Sequence, residues 1–330
     1  MIPLTKDKRM LGYEVLAPYP DISCFVTTRH GGCSTSSYAS FNCTPYTGDD
    51  ADCVRNNREL LCAALPVRPQ VLIIPFQTHG TDSLIIDDAY LNATHSERQA
   101  MLQGIDALIT RMPGCCICIS TADCIPVLLY DRQRRIVAAV HAGWRGTVNR
   151  ILTKTLHRMQ SAYGTEGTDV IACIGPGISL DSFEVGDEVY EAFRTENFPM
   201  EYISVWKPET HKYHIDLWAA NRLQLSDFAY DSAGHGIEHP GHSAGITLEV
   251  GATVEGTAAL AMQRSNVARV YGGYDIACVL RCFHRKLRYQ GMQASRTLRT
   301  LPVCGKTMGV FERNVFPVLF HIIGGVGLFV

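Results

Sequence analysis

Three short segments of this chain carry side chains suited to holding a metal ion. Gln77-Thr78-His79-Gly80 follows one apolar run, Thr121-Ala122-Asp123-Cys124 precedes another, and His141-Ala142-Gly143-Trp144-Arg145-Gly146 follows a third. Each offers one soft or borderline donor, and strand ends are where sites are commonly assembled. Two imidazoles and a thiolate suit Zn²⁺, and three protein ligands leave a fourth tetrahedral position for water or a reactant. The spacing matches no established zinc signature such as paired Cys-x-x-Cys motifs, so plainer parts stay open. His79 could bond a loop carbonyl, Cys124 could be a small buried apolar residue, and His141 could begin a turn. Asp123, next to Cys124, could handle a proton or orient a ligand, or equally serve as a turn or cap residue.

Other segments read as candidate anion or sugar contacts. Gly143-Trp144-Arg145-Gly146 stands where a strand gives way to a helix, so backbone amides and the helix dipole would favour an anion there. Arg145 adds a planar donor fork for phosphate or carboxylate, or is simply a surface arginine in a tight turn. Gly175-Pro176-Gly177 marks a second tight turn. Near the N-terminus, Thr27 to Gly32 and Ser40-Phe41-Asn42 put Arg29, several hydroxyls and the Asn42 amide on a Gly-rich loop. Such a loop could cradle phosphate or ribose hydroxyls, although the same composition suits any surface loop.

These segments need a scaffold, and the apolar pattern predicts one. Short runs rich in Val and Ile at 71–76, 115–119, 125–130, 136–140 and 170–174 read as buried strands. Val148, Ile151, Leu152, Leu156 and Met159 share one face of a helix that Gly164 would stop. Further helices are expected at about 186–194 and at 217–225, where Leu217, Asn221 and Leu225 would share a face. The expected class is mixed α/β, with mixed β-sheets flanked by helices in a single domain. No repeat or Pro/Ser-rich linker divides the chain, but its character changes near Ser226. His235, His239 and His242 sit among Gly and Pro, residues 281–299 are dense in Arg and Lys, and an apolar tail follows.

The 330 residues are 46% apolar and 19% charged, enough to bury a full core. Thirty basic residues against 32 acidic ones give no electrostatic footprint for nucleic acid or an anionic membrane. Small molecules or other proteins are therefore the expected partners. The thirteen cysteines, adjacent Cys115 and Cys116 among them, form an odd set. With no signal-like opening segment, this argues for reduced thiols and a cytoplasmic protein. The apolar stretch at 315–330 is broken by Pro317, His321 and three glycines and is too short to span a bilayer.

Taken in order, the motifs resemble the laccase-like multicopper polyphenol oxidoreductase family, which includes the bacterial peptidoglycan editing factor and purine nucleoside phosphorylases. The residues concerned are FVTTRHGG at 25–32, SFN at 40–42, GDD at 48–50, VRNNR at 54–58, QTHG at 77–80 and DALIT at 106–110. ADCIPVLLY at 122–130, HAGWRG at 141–146, IGP at 174–176 and FEVGDEV at 183–189 complete the set. The resemblance implies one zinc held by His79, Cys124 and His141, with copper the less favoured ion. A single three-ligand site cannot supply the several copper centres of laccase chemistry. It implies phosphate-dependent cleavage of adenosine, inosine and S-methyl-5'-thioadenosine, with adenosine deamination as a second reaction. Within that scheme Asp123, Cys124 and Arg145 are the catalytic candidates, Asp123 for proton transfer. Arg29, Asn42 and Arg145 are the candidates for substrate and phosphate. Two other readings accompany it: removal of a wrong amino acid from a peptidoglycan precursor, and a non-catalytic zinc-stabilised binding protein. The oligomeric state is left open.

The likeness covers about residues 11–225, taken as a catalytic domain of 1–225. Residues 226–330 depart from it, with Cys282-Phe283-His284-Arg285-Lys286 and Ala294-Ser295-Arg296-Thr297 as faint echoes of the family's closing segment. That region either completes the same domain, as a lineage-specific extension, or is rearranged, in which case the site could be impaired.

Overall fold

A computed structural model describes residues 1–232, 246–250 and 275–281. The first part of the chain runs β1 (Ile2–Pro3), β2 (Met10–Gly12), β3 (Ile22–Thr27), α1 (Ala51–Ala63), β4 (Val71–Ile73), β5 (Ser83–Ile86), α2 (Asp88–Asn92) and α3 (His95–Met101). The centre comprises β6 (Ala107–Thr110), β7 (Cys115–Thr121), β8 (Ile125–Asp131), β9 (Ile136–Ala142), α4 (Trp144–Val148), α5 (Ile151–Tyr163) and β10 (Val170–Ile174). Then follow β11 (Glu184–Val185), α6 (Asp187–Thr195), α7 (Met200–Ile203), β12 (Ser204–Lys207), β13 (Lys212–Ile215), α8 (Leu217–Ser232), β14 (Thr247–Val250) and β15 (Asp275–Arg281).

Among the described residues the strands form two six-stranded mixed sheets, β1-β2-β3-β15-β7-β4 and β14-β10-β8-β9-β6-β5, and a smaller sheet β11-β13-β12. Alternation along β7 shows how the layers stack. Cys115, Ile117 and Ile119 meet Leu128, Val137 and Ile171 of the second sheet. Cys116 and Cys118 point the other way, to Leu61 of α1. The outer face of the second sheet, with Ile109, Val127, Leu129 and Ala138, packs on Ile151, Leu152 and Leu156 of α5 and on Leu217 and Leu225 of α8. Both six-stranded sheets are thus covered on two faces, which is why their strands read as unbroken apolar runs. This is the mixed α/β, single-domain class that the pattern predicts.

The boundaries differ in instructive ways. The run at 71–76 stays a strand only to Ile73. Pro75 has no N–H for a ladder, and Phe76 leaves the core at 40% exposure to bridge Gln103. The helix drawn through Val148 is two helices, because Arg150 adopts a left-handed conformation (φ 64°) that ends α4 before α5 begins. Its guanidinium stacks 3.7 Å from the Phe198 ring and donates to the Glu196 carbonyl. Gly164 does end α5, again left-handed. The helix expected at 217–225 runs on to Ser232, since Phe228 and Ala229 are buried and prolong its apolar face.

Among the described residues, two strands come from beyond Ser226. β15 lies antiparallel to both β3 and β7, opposing Cys278 to Phe25 and to Cys118, and β14 pairs in parallel with β10. Cys118 is disulfide-bonded, an exception to the reduced state expected of the thiols, whereas Cys24, Cys33, Cys43, Cys53, Cys62, Cys115, Cys116, Cys124 and Cys173 keep their thiols outside any disulfide. No described helix is long and apolar enough to cross a membrane. His235, His239, His242, the basic stretch after Arg281 and the apolar tail lie outside the described residues.

Candidate metal centre

Strand register builds the site. In the β8–β9 ladder Ile125 opposes Ala142. Cys124 therefore arrives opposite Gly143, two positions and one pleat beyond His141 on the same face. His79 comes from the loop after β4, in a left-handed backbone conformation (φ 61°). The ligand atoms of His79, Cys124 and His141 all lie within 4.8 Å of one another, the imidazoles meeting edge to face at 4.8 Å between centroids. A tetrahedral zinc with bonds of about 2.0–2.3 Å needs ligand separations near 3.5 Å, within reach of small side-chain rotations. Burial grades from His141 through half-buried Cys124 to exposed His79, so the cluster opens on the His79 side.

The electrostatics favour the form of cysteine that binds metals. Burial pushes the Cys124 thiol up, but the His141 charge and hydrogen bonds from both imidazoles outweigh it and bring it down to about 6. Burial alone would lower His141, yet the Cys124 charge and the Asp106 hydrogen bond hold it up at about 9. Cys124 is thereby held toward the thiolate, which is the ligand species, and His141 gives up its second ring proton on binding an ion. Two borderline imidazole nitrogens and this soft sulfur make a donor set that fits zinc.

Two further residues shape the cluster. Asp106, fully buried, accepts from the backbone N–H of Thr78 (3.2 Å), His79 (3.0 Å) and Gly80 (2.7 Å), and faces His141 Nδ1 at 2.8 Å. Burial opposes its ionisation, but these bonds and the His141 charge hold its carboxyl below the usual range. Gly143 lets the ligands approach. A Cβ there would stand 2.8 Å from Cys124 Sγ and 3.0 Å from His79 Cδ2.

The other sequence candidates are placed unevenly. Asp123 is half-buried, and burial pushes its carboxyl up. Arg145 is exposed, its guanidinium lying over the Trp144 ring at 4.2 Å. It sits on a helix of only five residues, too short for a strong end dipole. Arg29 turns inward: Nε and Nη2 both donate to the Ala39 carbonyl, closing the 29–40 loop. Asn42 is 1% exposed. It donates to Thr47 Oγ1 and Asp49 Oδ2 and accepts from the Thr44 N–H. In this structure the Asn42 amide holds its own loop.

Comparison with known proteins decides the family. Residues 23–235 match the family model described as multi-copper polyphenol oxidoreductase laccase. The chain belongs to this family. It is 61% identical over 232 residues to a purine nucleoside phosphorylase of Bacteroides thetaiotaomicron, covering 70% of this chain and 86% of that protein. It is 43% identical over 204 residues to adenosine deaminase RL5 of an unknown prokaryotic organism, covering 62% and 78%. Among solved structures, YlmD of Geobacillus stearothermophilus aligns with a TM-score of 0.64 at 25% identity, over 81% of this chain and 94% of that one. YfiH of Bacillus licheniformis aligns at 0.61 and 26%, over 73% and 85%.

For this member of the laccase-like family, sequence reasoning picked the three residues that cluster and missed Asp106 and Gly143. The DALIT motif held Asp106 in view, but only the β6–β9 pairing, with Ala107 opposite Val140, shows that it lies beside His141. Glycine at 143 was legible as a turn. Its closeness to a sulfur and an imidazole from two other segments was not.

Proposed function

We propose that this chain is a zinc-dependent enzyme of purine nucleosides, cleaving adenosine, inosine and S-methyl-5'-thioadenosine with phosphate and deaminating adenosine. The convergence of His79, Cys124 and His141 within 4.8 Å at an open strand-end mouth carries the reading, and the names of the relatives supply the substrate class. Zinc is favoured over copper because, among the described residues, this is the one cluster of three or more such ligands, whereas laccase chemistry uses several copper centres.

Bound at the triad, zinc supplies a Lewis acid and a water whose pKa falls from about 16 to about 7. His141 would hold the ion from β9, Cys124 from the residue before β8 and His79 from its loop. In phosphorolysis a phosphate oxygen bonds C1′ as the glycosidic C–N bond breaks, and the base departs with the electron pair and takes a proton. Asp123 moves that proton at its carboxyl oxygen. Arg145, exposed two residues after Gly143, holds phosphate through its two-pronged guanidinium, while Arg29 keeps the Gly-rich loop at 29–40 closed through the Ala39 carbonyl. The described strands beyond residue 225, β14 and β15, complete the same domain, a reading supported by their pairing with strands from 1–225.

Product analysis tests this. Purified chain with known zinc content should convert inosine to hypoxanthine and ribose 1-phosphate only with phosphate present, and adenosine to inosine without it. Hypoxanthine released at an undiminished rate without phosphate would remove phosphorolysis. A truncation ending at Leu225 should lose soluble folded protein, and equal folding and turnover would refute the one-domain reading.

A further inference from the structure

We infer that Asp106 is the positioning residue of the metal centre, one carboxylate that sets both imidazole ligands. The inference rests on the metal-centre reading and adds to it which residue makes the site before an ion arrives. Asp106 immediately precedes β6, and the β6–β9 register places it opposite His141, whose own N–H donates to the Asp106 carbonyl at 2.8 Å. Its two oxygens divide the work between two chain segments. Oδ1 takes the His79 N–H (3.0 Å) and faces His141 Nδ1 (2.8 Å), while Oδ2 takes the N–H groups of Thr78 (3.2 Å) and Gly80 (2.7 Å).

Two consequences follow from that arrangement. A carboxylate accepts only, so His141 must carry its proton on Nδ1 and present Nε2 to the metal. The left-handed backbone at His79 (φ 61°) is costly for a residue with a Cβ, and three N–H groups gathered on one buried carboxylate hold the loop in it. A carboxylate serving only to close the 78–80 turn has no need of the bond to a ring on another strand. The distances to both histidines, from one fully buried side chain, distinguish the two parts.

The test is Asp106→Asn in the full chain, compared with wild type by chelator competition for zinc and by the absorption of the cobalt(II) form. The amide matches the carboxylate in size, yet every partner is a donor, so each orientation turns its NH₂ toward another N–H. Zinc affinity should fall 10–100-fold, and the thiolate-to-cobalt band should shift or weaken in the folded fraction. A variant with a lower melting temperature but wild-type zinc affinity and cobalt band overturns the inference, because the residue is then structural only. Should the variant fail to fold, nitrogen NMR of the wild-type zinc form decides: Nδ1 protonated and Nε2 metal-bound supports the assignment, and metal on Nδ1 overturns it. Wild-type protein that takes up neither zinc nor cobalt removes the metal-centre reading itself, an outcome distinct from equal loading of both proteins.

Discussion

The strand-end mouth at 79, 124 and 141 and the N-terminal loop at 29–57 are both rich in polar groups on Gly-containing segments, yet they end in opposite states. In the loop the polar groups satisfy one another. Asn57, fully buried on α1, accepts from the Cys33 N–H and donates to Ser34 Oγ and to the carbonyls of Ser40 and Asn42. Arg29 and Asn42 are likewise taken up inside the loop. At the mouth Asp106 is satisfied by Thr78, His79, Gly80 and His141, while two imidazoles and a thiol from three separate segments converge within 4.8 Å of one another. Buried amides and hydroxyls in folded proteins find partners, so a network closed on itself is the mark of a brace, whereas metal-ligating side chains from three segments gathered at one open mouth are the mark of a site.

Four substitutions would break or sharpen that contrast. The largest effect is expected from His141→Ala, which removes a ligand and leaves Asp106 buried without its ring partner. Zinc content by elemental analysis should drop below one-tenth per chain, and turnover should fall by more than the roughly 100-fold that loss of an outer-shell partner costs. Gly143→Ala comes next. The added methyl meets Cys124 Sγ and His79 Cδ2 at 2.8 and 3.0 Å, so it should weaken zinc binding about tenfold and destabilise by about 1–3 kcal/mol. Unchanged zinc affinity would show the mouth to be looser than its geometry implies. Asn57→Ala should do the reverse, lowering stability in urea by on the order of 2–3 kcal/mol, because it strands several buried donors and acceptors, while zinc stoichiometry stays that of the wild type. Loss of zinc there would merge the two regions into one functional unit. The smallest effect is expected from Arg145→Ala, which should lower kcat/KM for phosphate about tenfold, leaving adenosine deamination and melting temperature unchanged. Equal loss in both reactions would move Arg145 from phosphate to the nucleoside.

Much of the scaffold was legible because burial on both faces leaves an unmistakable pattern. The runs that became β7, β8, β9 and β10 carry Val, Ile, Leu, Ala and Cys without polar alternation, and the spacing of Ile151, Leu152, Leu156 and Met159 marks the buried stripe of α5. What escaped was governed by single residues with local authority. Pro75 cut a strand short, and Arg150 broke a helix in two by a left-handed turn secured through contacts with Phe198 and Glu196, 46 or more residues away. Such contacts leave no periodic trace.

The amino-acid order by itself determined the family, the strand and helix types and the three candidate ligands, since residue chemistry and apolar periodicity are properties of the chain. Which polar residues face a ligand and which face one another was decided only when the β6–β9 and β8–β9 registers were set. Those registers bring Asp106 to His141, and Cys124 to Gly143, across separations of 35 and 19 positions along the chain. Proximity between segments so far apart arises from pairing and packing, and no local pattern encodes it.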